Sequence, residues 1–147
     1  MTAQRDRVKA FFDEYARLTN DALRNPPVED VDRQAACFAD YFVGSSPRGV
    51  QGAANGPELR SVIPQGWARY RHIGGTAMNV TAVTVTELDP FHVMARVAWD
   101  FEYVRDGRTG HIGFENHYFL TEAGGALKIF AYITPDEQQA MEDHGLL

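Results

Sequence analysis

One amide interrupts an otherwise apolar strand face in the second half of the chain. Asp106-Gly107 is a two-residue hairpin signal, and the register that it sets places Asn116 opposite Val97 among apolar neighbours. A buried amide that lacks partners costs about 1–3 kcal/mol. Asn116 is therefore expected either to bind a neighbouring hydroxyl or water, or to donate a hydrogen bond into a ligand cavity.

A tyrosine on the first predicted helix is a second candidate for the site that contains Asn116. Tyr15 belongs to a stripe of apolar residues at helical spacing, with charged residues on the other side. It is either a core residue or a second donor that reaches the same ligand oxygen as Asn116. Two donors in a dry site stabilise the negative charge of a developing enolate, so the pair would serve proton-transfer chemistry.

Proton transfer also needs a base, and the sequence offers few candidates. Asp40 is expected at the end of the second helix, where it either makes local hydrogen bonds or moves the proton. Tyr41 follows it as a further donor or a core residue. His72 is expected at the end of the third helix, either as a helix-end cation or as a residue near the mouth of the cavity.

Four further aromatic residues are candidates for the wall of the cavity. Trp99, Phe114 and Tyr118 lie on the apolar face in the hairpin register, and Trp67 lies on the inner stripe of the third helix. Aromatic residues at such spacing usually belong to a core, and the convergence of polar groups favours the alternative that they line a cavity. The expected ligand is small and apolar or aromatic.

Composition and motifs exclude several classes of function. The 147 residues are 44% hydrophobic and carry a net charge of −6, which is unfavourable for binding nucleic acid or an anionic membrane surface. The histidines show no HExxH spacing and no GxGxxG or P-loop motif is present, so neither a metal nor another cofactor is expected. Cys37 is the single cysteine, which excludes an internal disulfide. With charges near its start and no long apolar run, the protein is expected in the cytoplasm.

Hydrophobic periodicity predicts one α+β domain over residues 1–147, helical at first and strand-rich afterwards. Helices are predicted over 8–22, 28–42, 57–72 and 135–144, a loop over 44–56, and strands over 77–88, 91–105, 108–121 and 126–134. Pro64 is expected to kink or divide the third helix. Thr134 is the predicted N-cap of the last helix and Glu137 its capping-box partner, and this helix is expected across the mouth of a curled sheet.

The outer face of the predicted sheet carries an aromatic patch. The turn at Ala123-Gly124 sets a second register, with Ile129 opposite Tyr118 and Ala131 opposite Asn116. The other face then collects Met94, His117, Phe119, Phe130 and Tyr132. Such a patch is typical of an interface, so a two-fold homodimer is expected to form through it.

The layout of the chain resembles the nuclear transport factor two-like (SnoaL-like) superfamily, and within it ketosteroid isomerase. The stretches that carry the resemblance are FFDEYARLTNDAL, CFAD, VGSSPRG, FEYVRDGR and FENHYFLTEAGGALKI. It implies a cone-shaped α+β domain, a cystatin-like roll with three N-terminal helices on a curved, mainly antiparallel sheet. Tyr15 falls where the isomerase has its oxyanion-hole tyrosine, and Asn116 where it has a protonated aspartate. Between CFAD and VGSSPRG the isomerase is longer and has its general base, and Asp40-Tyr41 is what this chain has near that place.

The residues and the resemblance together predict a cofactor-independent isomerase, lyase or cyclase. It would act by proton transfer on a small apolar ligand that bears a carbonyl or hydroxyl. Tyr15 and Asn116 would hold the oxyanion, and Asp40 would move the proton. A non-catalytic small-molecule-binding domain and a dimerisation module of the same fold are the alternatives.

Overall fold

The computed structural model describes residues 2–147 and confirms the α+β class. The elements, in chain order, are α1 (Thr2–Ala22), α2 (Val31–Ala35), β1 (Phe38–Ser46), β2 (Gly49–Ala54), α3 (Pro57–His72), β3 (Gly75–Asp89), β4 (His92–Arg105), β5 (Arg108–Thr121), β6 (Lys128–Ile133) and α4 (Glu137–Asp143). The strands form one curved sheet in the order β2-β1-β6-β5-β4-β3. All neighbours in it are antiparallel except β1 and β6, which run parallel.

The β4–β5 hairpin follows the sequence prediction along its whole length. Asp106 and Gly107 have φ angles of 52° and 75°, as a tight two-residue turn requires. The register pairs Trp99 with Phe114 and Val97 with Asn116. The expected inner face of this hairpin is therefore confirmed.

The register predicted for β6 is wrong. The structure pairs Tyr118 with Tyr132 and Leu120 with Ile129, with a β-bulge between the two pairs. A bulge adds one residue to one strand and so reverses which face the following side chains occupy. Tyr132 therefore lies on the inner face, against Phe38 and Phe42, and not in the outer patch where the sequence had placed it.

Only the middle of the second predicted helix is helical, and its last five residues belong to a strand. α2 ends at Ala35, and residues 38–46 form β1, where a helix to Phe42 and then a loop had been expected. Backbone hydrogen bonds to β6 hold β1 in place, from Ile129 N to Cys37 O and from Thr134 N to Ser45 O. These partners lie far away in the sequence, so the local spacing of apolar residues could not reveal them.

The helices α3 and α4 differ in how their first turns are stabilised. Pro57 occupies the first turn of α3, as predicted, and Pro64 lies inside this single helix. α4 is capped by Asp136, whose carboxylate accepts a hydrogen bond from the backbone N–H of Gln139. The predicted cap at Thr134 is therefore wrong, and the side chain of Glu137 is not engaged in a capping box.

The main core lies between α1 and the inner face of the sheet. Its largest fully buried members come from the helix and from three strands: Val8, Phe12, Val93, Val97, Phe101, Leu120 and Ile129. α4 adds Met141, and Leu146 follows it into the same cluster. Within residues 2–147 no helix is long and apolar enough to cross a membrane.

Candidate functional site

A cavity of about 340 Å³ opens beside this core, between the helices and the inner face of the sheet. Its size falls in the range of roughly 300–1,000 Å³ that is typical of ligand pockets. Its wall is largely aromatic, with rings from Tyr15, Phe38, Phe42, Trp67, Tyr70, Trp99, Phe114, Tyr118 and Tyr132. Such a wall suits an apolar, flat ligand.

Most of the residues singled out from the sequence meet in this cavity. They are Tyr15, Trp67, Trp99, Phe114, Asn116 and Tyr118. The rings of Tyr15 and Tyr118 have centroids 6.4 Å apart, and those of Tyr15 and Trp99 are 5.9 Å apart. The helical stripe of α1 and the β4–β5 register thus converge as the sequence predicted.

Three predicted residues lie outside the cavity. Asp40 is exposed. It lies on the strand β1 and not, as predicted, at the end of a helix whose apolar side faces the cavity. Tyr41, 62% exposed, has its hydroxyl over Gly52 of the neighbouring strand. His72 is exposed at the end of α3. None of the three belongs to the lining of the cavity.

The hydroxyl of Tyr118 is fixed by two hydrogen bonds. Trp99 donates its indole N–H to the phenolic oxygen at 3.2 Å, and Asn116 donates an amide N–H at 3.0 Å. Both lone pairs of that oxygen are then occupied, so the O–H of Tyr118 is left to act as a donor. The amide of Asn116 thus positions the hydroxyl of Tyr118.

The electrostatics of the two tyrosines keep them protonated at neutral pH. Burial raises the pKa of Tyr118 to about 12, and the hydrogen bonds from Asn116 and Trp99 act in the opposite direction. Burial also raises the pKa of Tyr15 well above its usual range. Tyr15 and Tyr118 can therefore both donate a hydrogen bond to a ligand oxygen.

Glu137 is the functional candidate that sequence reasoning missed. Among the described residues that line the cavity it is the one carboxylate, and they include no lysine, arginine or histidine. The hydroxyl of Tyr70 donates to its two carboxylate oxygens, at 3.3 and 3.5 Å. Burial raises the pKa of Glu137, while the Tyr70 hydrogen bond and the charge of Arg69 act against that effect.

The available signal for Glu137 was its position on a helix expected across the mouth of the cavity. The capping-box interpretation assigned its carboxylate to the backbone instead. Because Asp136 caps α4, Glu137 is turned toward the cavity. Tyr70 on α3 is the hydrogen-bond partner of this carboxylate. Among residues 2–147 no group of three His, Cys, Asp or Glu side chains could hold a metal ion.

Comparisons with known proteins agree on the fold. Residues 5–137 match the family described as NTF2-like protein (DUF6841). A structure of Aln2 from a Streptomyces species is similar at 15% identity and a TM-score of 0.69, covering 97% of each chain. An NTF2-like protein with a cystatin-like fold from Novosphingobium aromaticivorans is 13% identical, with a TM-score of 0.69 over 97% of this chain and 88% of that one. A ketosteroid isomerase-like protein from Erwinia carotovora atroseptica is 19% identical, with a TM-score of 0.62 over 88% of this chain and 93% of that one. No curated protein matches the chain.

Proposed function

The chain belongs to the NTF2-like family DUF6841, and on that premise we propose that it is a cofactor-independent enzyme that moves a proton on a small apolar carbonyl compound. Its fold is one that isomerases share with proteins of other functions. The observation that carries the proposal is Glu137, a carboxylate of raised pKa in an apolar cavity that also contains a fixed hydroxyl donor. A base and an oxyanion donor around one dry space are the minimum that enolisation requires.

The chemistry divides between two kinds of group in the cavity. The O–H groups of Tyr118 and Tyr15 donate to the carbonyl oxygen of the ligand and stabilise the negative charge that develops there. The carboxylate of Glu137 takes a proton from the carbon next to the carbonyl, which leaves an enolate and a neutral acid. Burial raises the pKa of Glu137 and so makes it a stronger base than an exposed carboxylate.

The fate of the enolate decides the reaction class. Return of the proton from Glu137 to a different carbon gives an isomerase, and loss of a leaving group from the β carbon gives a lyase. Attack of the enolate carbon on a second carbonyl gives a cyclase. The same two groups serve all three outcomes, because each begins with the same proton abstraction.

The test is exchange of α protons for deuterium, which needs no knowledge of the natural substrate. The probe is 2-tetralone in D₂O, followed by loss of its α-proton signal in ¹H NMR. We expect the protein to accelerate exchange, and Glu137→Gln to reduce the accelerated rate about 10²–10⁴-fold, as loss of a general base does. Tyr118→Phe should reduce it about 10²-fold or more, as loss of an oxyanion donor does.

Glu142→Gln is the matched control, because Glu142 is exposed on the same helix. It should exchange protons at the wild-type rate. If 2-tetralone binds in the cavity and its α protons exchange no faster than in buffer, the protein is a binding domain and the catalytic proposal is wrong.

A further inference from the structure

A glycine lies in the interior of α3, on the wall of the cavity. Gly66 is well inside this helix of 16 residues, and it lines the cavity. Glycine inside a helix lowers stability relative to alanine, because it gives the unfolded chain more conformational freedom to lose. Its presence at this position therefore calls for a physical reason.

Neither the backbone nor the packing of α3 supplies that reason. The φ angle of Gly66 lies outside the positive region that favours glycine. Apart from its chain neighbours and the backbone of its own helical turns, a β carbon placed at Gly66 would have no heavy atom of residues 2–147 within 4 Å. At Gly75, by contrast, a β carbon would meet the ring of Phe101 at 2.7 Å. An alanine would thus fit in place of Gly66 without strain, and the fold leaves that space empty.

The helix directs this empty space into the cavity. Successive residues of an α-helix are rotated by about 100°, so positions three, four and seven residues apart share a face. The other residues of α3 that line the cavity lie at those spacings from Gly66, or directly follow it: Leu59, Val62, Ile63, Trp67 and Tyr70. The side chain that Gly66 lacks is therefore missing from the cavity and not from the exposed side of the helix.

A second cavity adjoins the first at this position. Its volume is about 180 Å³, and three residues line both cavities: Gly66, Tyr70 and Glu137. Tyr70 and Glu137 join α3 to α4 through the hydrogen bond between their side chains. Of the three residues at this border, Gly66 is the one without a side chain, and so it leaves room between the two cavities.

The second cavity suits a small apolar group. The buried side chains of Ile73 and Met141 line it, together with Leu147 and the exposed polar residues Arg69 and Gln138. An apolar cavity of about 150 Å³ is large enough to bind benzene. A phenyl group therefore has room in the second cavity while the rest of a ligand lies in the first.

We propose that Gly66 determines which ligands the protein accepts, because its missing side chain lets an apolar arm of the ligand reach from the main cavity into the second one. This inference rests on the proposed function for the ketone, whose α carbon lies beside Glu137. Since Glu137 lines both cavities, the arm is attached to that α carbon. The substrate class is then an apolar ketone with an aryl or alkyl arm next to its carbonyl.

The experiment compares two ketones that differ by one arm. 2-Tetralone has no arm, and 1-benzyl-2-tetralone carries a phenyl arm on its α carbon. We expect calorimetric titration of the wild-type protein to show about tenfold or tighter binding of the benzyl compound, as burial of a phenyl group provides. Gly66→Leu places a side chain between the two cavities and should reduce this preference to about twofold or less, because the arm is no longer buried.

Ala68→Leu is the matched control, since Ala68 is exposed on the opposite side of α3. It introduces the same side chain into the same helix and should retain the full preference. Equal or weaker binding of the benzyl compound to the wild-type protein would overturn the proposal, and so would a preference that survives Gly66→Leu.

A second variant tests whether the fold itself needs the glycine. Gly66→Ala should raise the melting temperature by about 2–4 °C, because alanine is the better helix residue and meets no neighbour. A lower melting temperature would show that the glycine serves the fold and would overturn the proposal. This result and the wild-type comparison decide the matter even if Gly66→Leu does not fold.

Deuterium exchange of the same two ketones separates this inference from the proposed function. Exchange that depends on Glu137, without any preference for the benzyl compound, would leave the enzyme and remove the role of Gly66. A preference that depends on Gly66, without exchange, would leave the ligand class and remove the catalysis. Binding of neither ketone would contradict the ligand class and this inference with it.

Discussion

At the scale of single residues, the side chain of Glu137 combines two opposing properties. Its carboxylate can accept a proton from a ligand only when it is ionised, and burial disfavours that ionised form. The hydroxyl of Tyr70 and the charge of Arg69 offset part of the penalty. Functional sites often contain such groups, which reduce stability and are retained for their chemistry.

This conflict predicts how stability depends on pH. A carboxyl with a raised pKa in the folded state costs nothing below its ordinary value of 4.5 and destabilises the fold as pH rises from there toward the folded-state pKa. Glu137→Gln removes the charge and keeps an acceptor for Tyr70. In thermal denaturation, the melting temperature of the variant should equal that of the wild-type protein at about pH 4 and exceed it at about pH 8.

Glu142→Gln provides the comparison for this prediction too. It changes a carboxyl to an amide on the same helix at an exposed position. A melting temperature of Glu137→Gln that stays equal to the wild-type value at both pH values would show that burial does not penalise the charge of Glu137.

Single residues of the site were predictable where one regular element determines them. Tyr15 follows from the helical period of α1, and Asn116 and Tyr118 follow from a hairpin register that a strong turn signal sets. Glu137 was missed because its burial depends on how a short helix docks. A helix as short as α4, with seven residues, has too few positions for its apolar spacing to show which side packs against the rest of the fold.

At the scale of elements, α4 is the piece that carries Glu137 to the cavity. A helix of seven residues is not stable by itself, so packing must hold it. Met141 is 6% exposed and belongs to the main core, and Leu146 donates its backbone N–H to the backbone oxygen of Met141. These contacts fix where Glu137 lies.

Met141→Ala should therefore release α4 before the rest of the fold. Truncation of a buried methionine costs about 2–5 kcal/mol, and the loss falls on a short terminal element. We expect hydrogen exchange of backbone amides in α4 to accelerate, while amides in β4 and β5 keep their protection. Glu142→Ala is the exposed control. Uniform loss of protection across helix and sheet would contradict the independent release of α4.

The β1–β2 hairpin shows why some elements could not be predicted. Apolar residues at positions 31, 35, 38 and 42 fit a helical stripe, and glycine, serine and proline after them indicate a loop. Pairing of β1 with β6 overrides the helical tendency, and pairing of β2 with β1 overrides the loop tendency. The parallel β1–β6 pair joins segments more than eighty residues apart, so the competing backbone hydrogen bonds were invisible to local patterns.

At the scale of the whole molecule, we propose that a homodimer forms through the outer sheet face. With Tyr132 on the inner face, the outer patch consists of Met94, His117, Phe119 and Phe130. The rings of Phe119 and Phe130 are 6.3 Å apart, and all four side chains are partly exposed in the single chain. A two-fold axis through this patch would pair it with its own copy.

The oligomeric state is measured by size-exclusion chromatography with light scattering. We expect roughly twice the chain mass of 16.4 kDa for the wild-type protein and the single mass for Phe119→Lys, because a charge in an apolar interface is not paired. Phe91→Lys is the matched control, since Phe91 is exposed at the β3–β4 turn, outside the outer patch. A monomeric wild-type protein would contradict the interface.

In the proposed mechanism a carboxylate inside the cavity moves the proton, and one pair of variants tests this role most directly. Glu137→Gln and Asp40→Asn each replace one carboxylate by its amide, the first in the cavity and the second at an exposed position of β1. In the exchange of α protons of 2-tetralone, Glu137→Gln should lose the accelerated rate and Asp40→Asn should keep it. Loss of the rate in Asp40→Asn with full activity in Glu137→Gln would show that Glu137 does not move the proton.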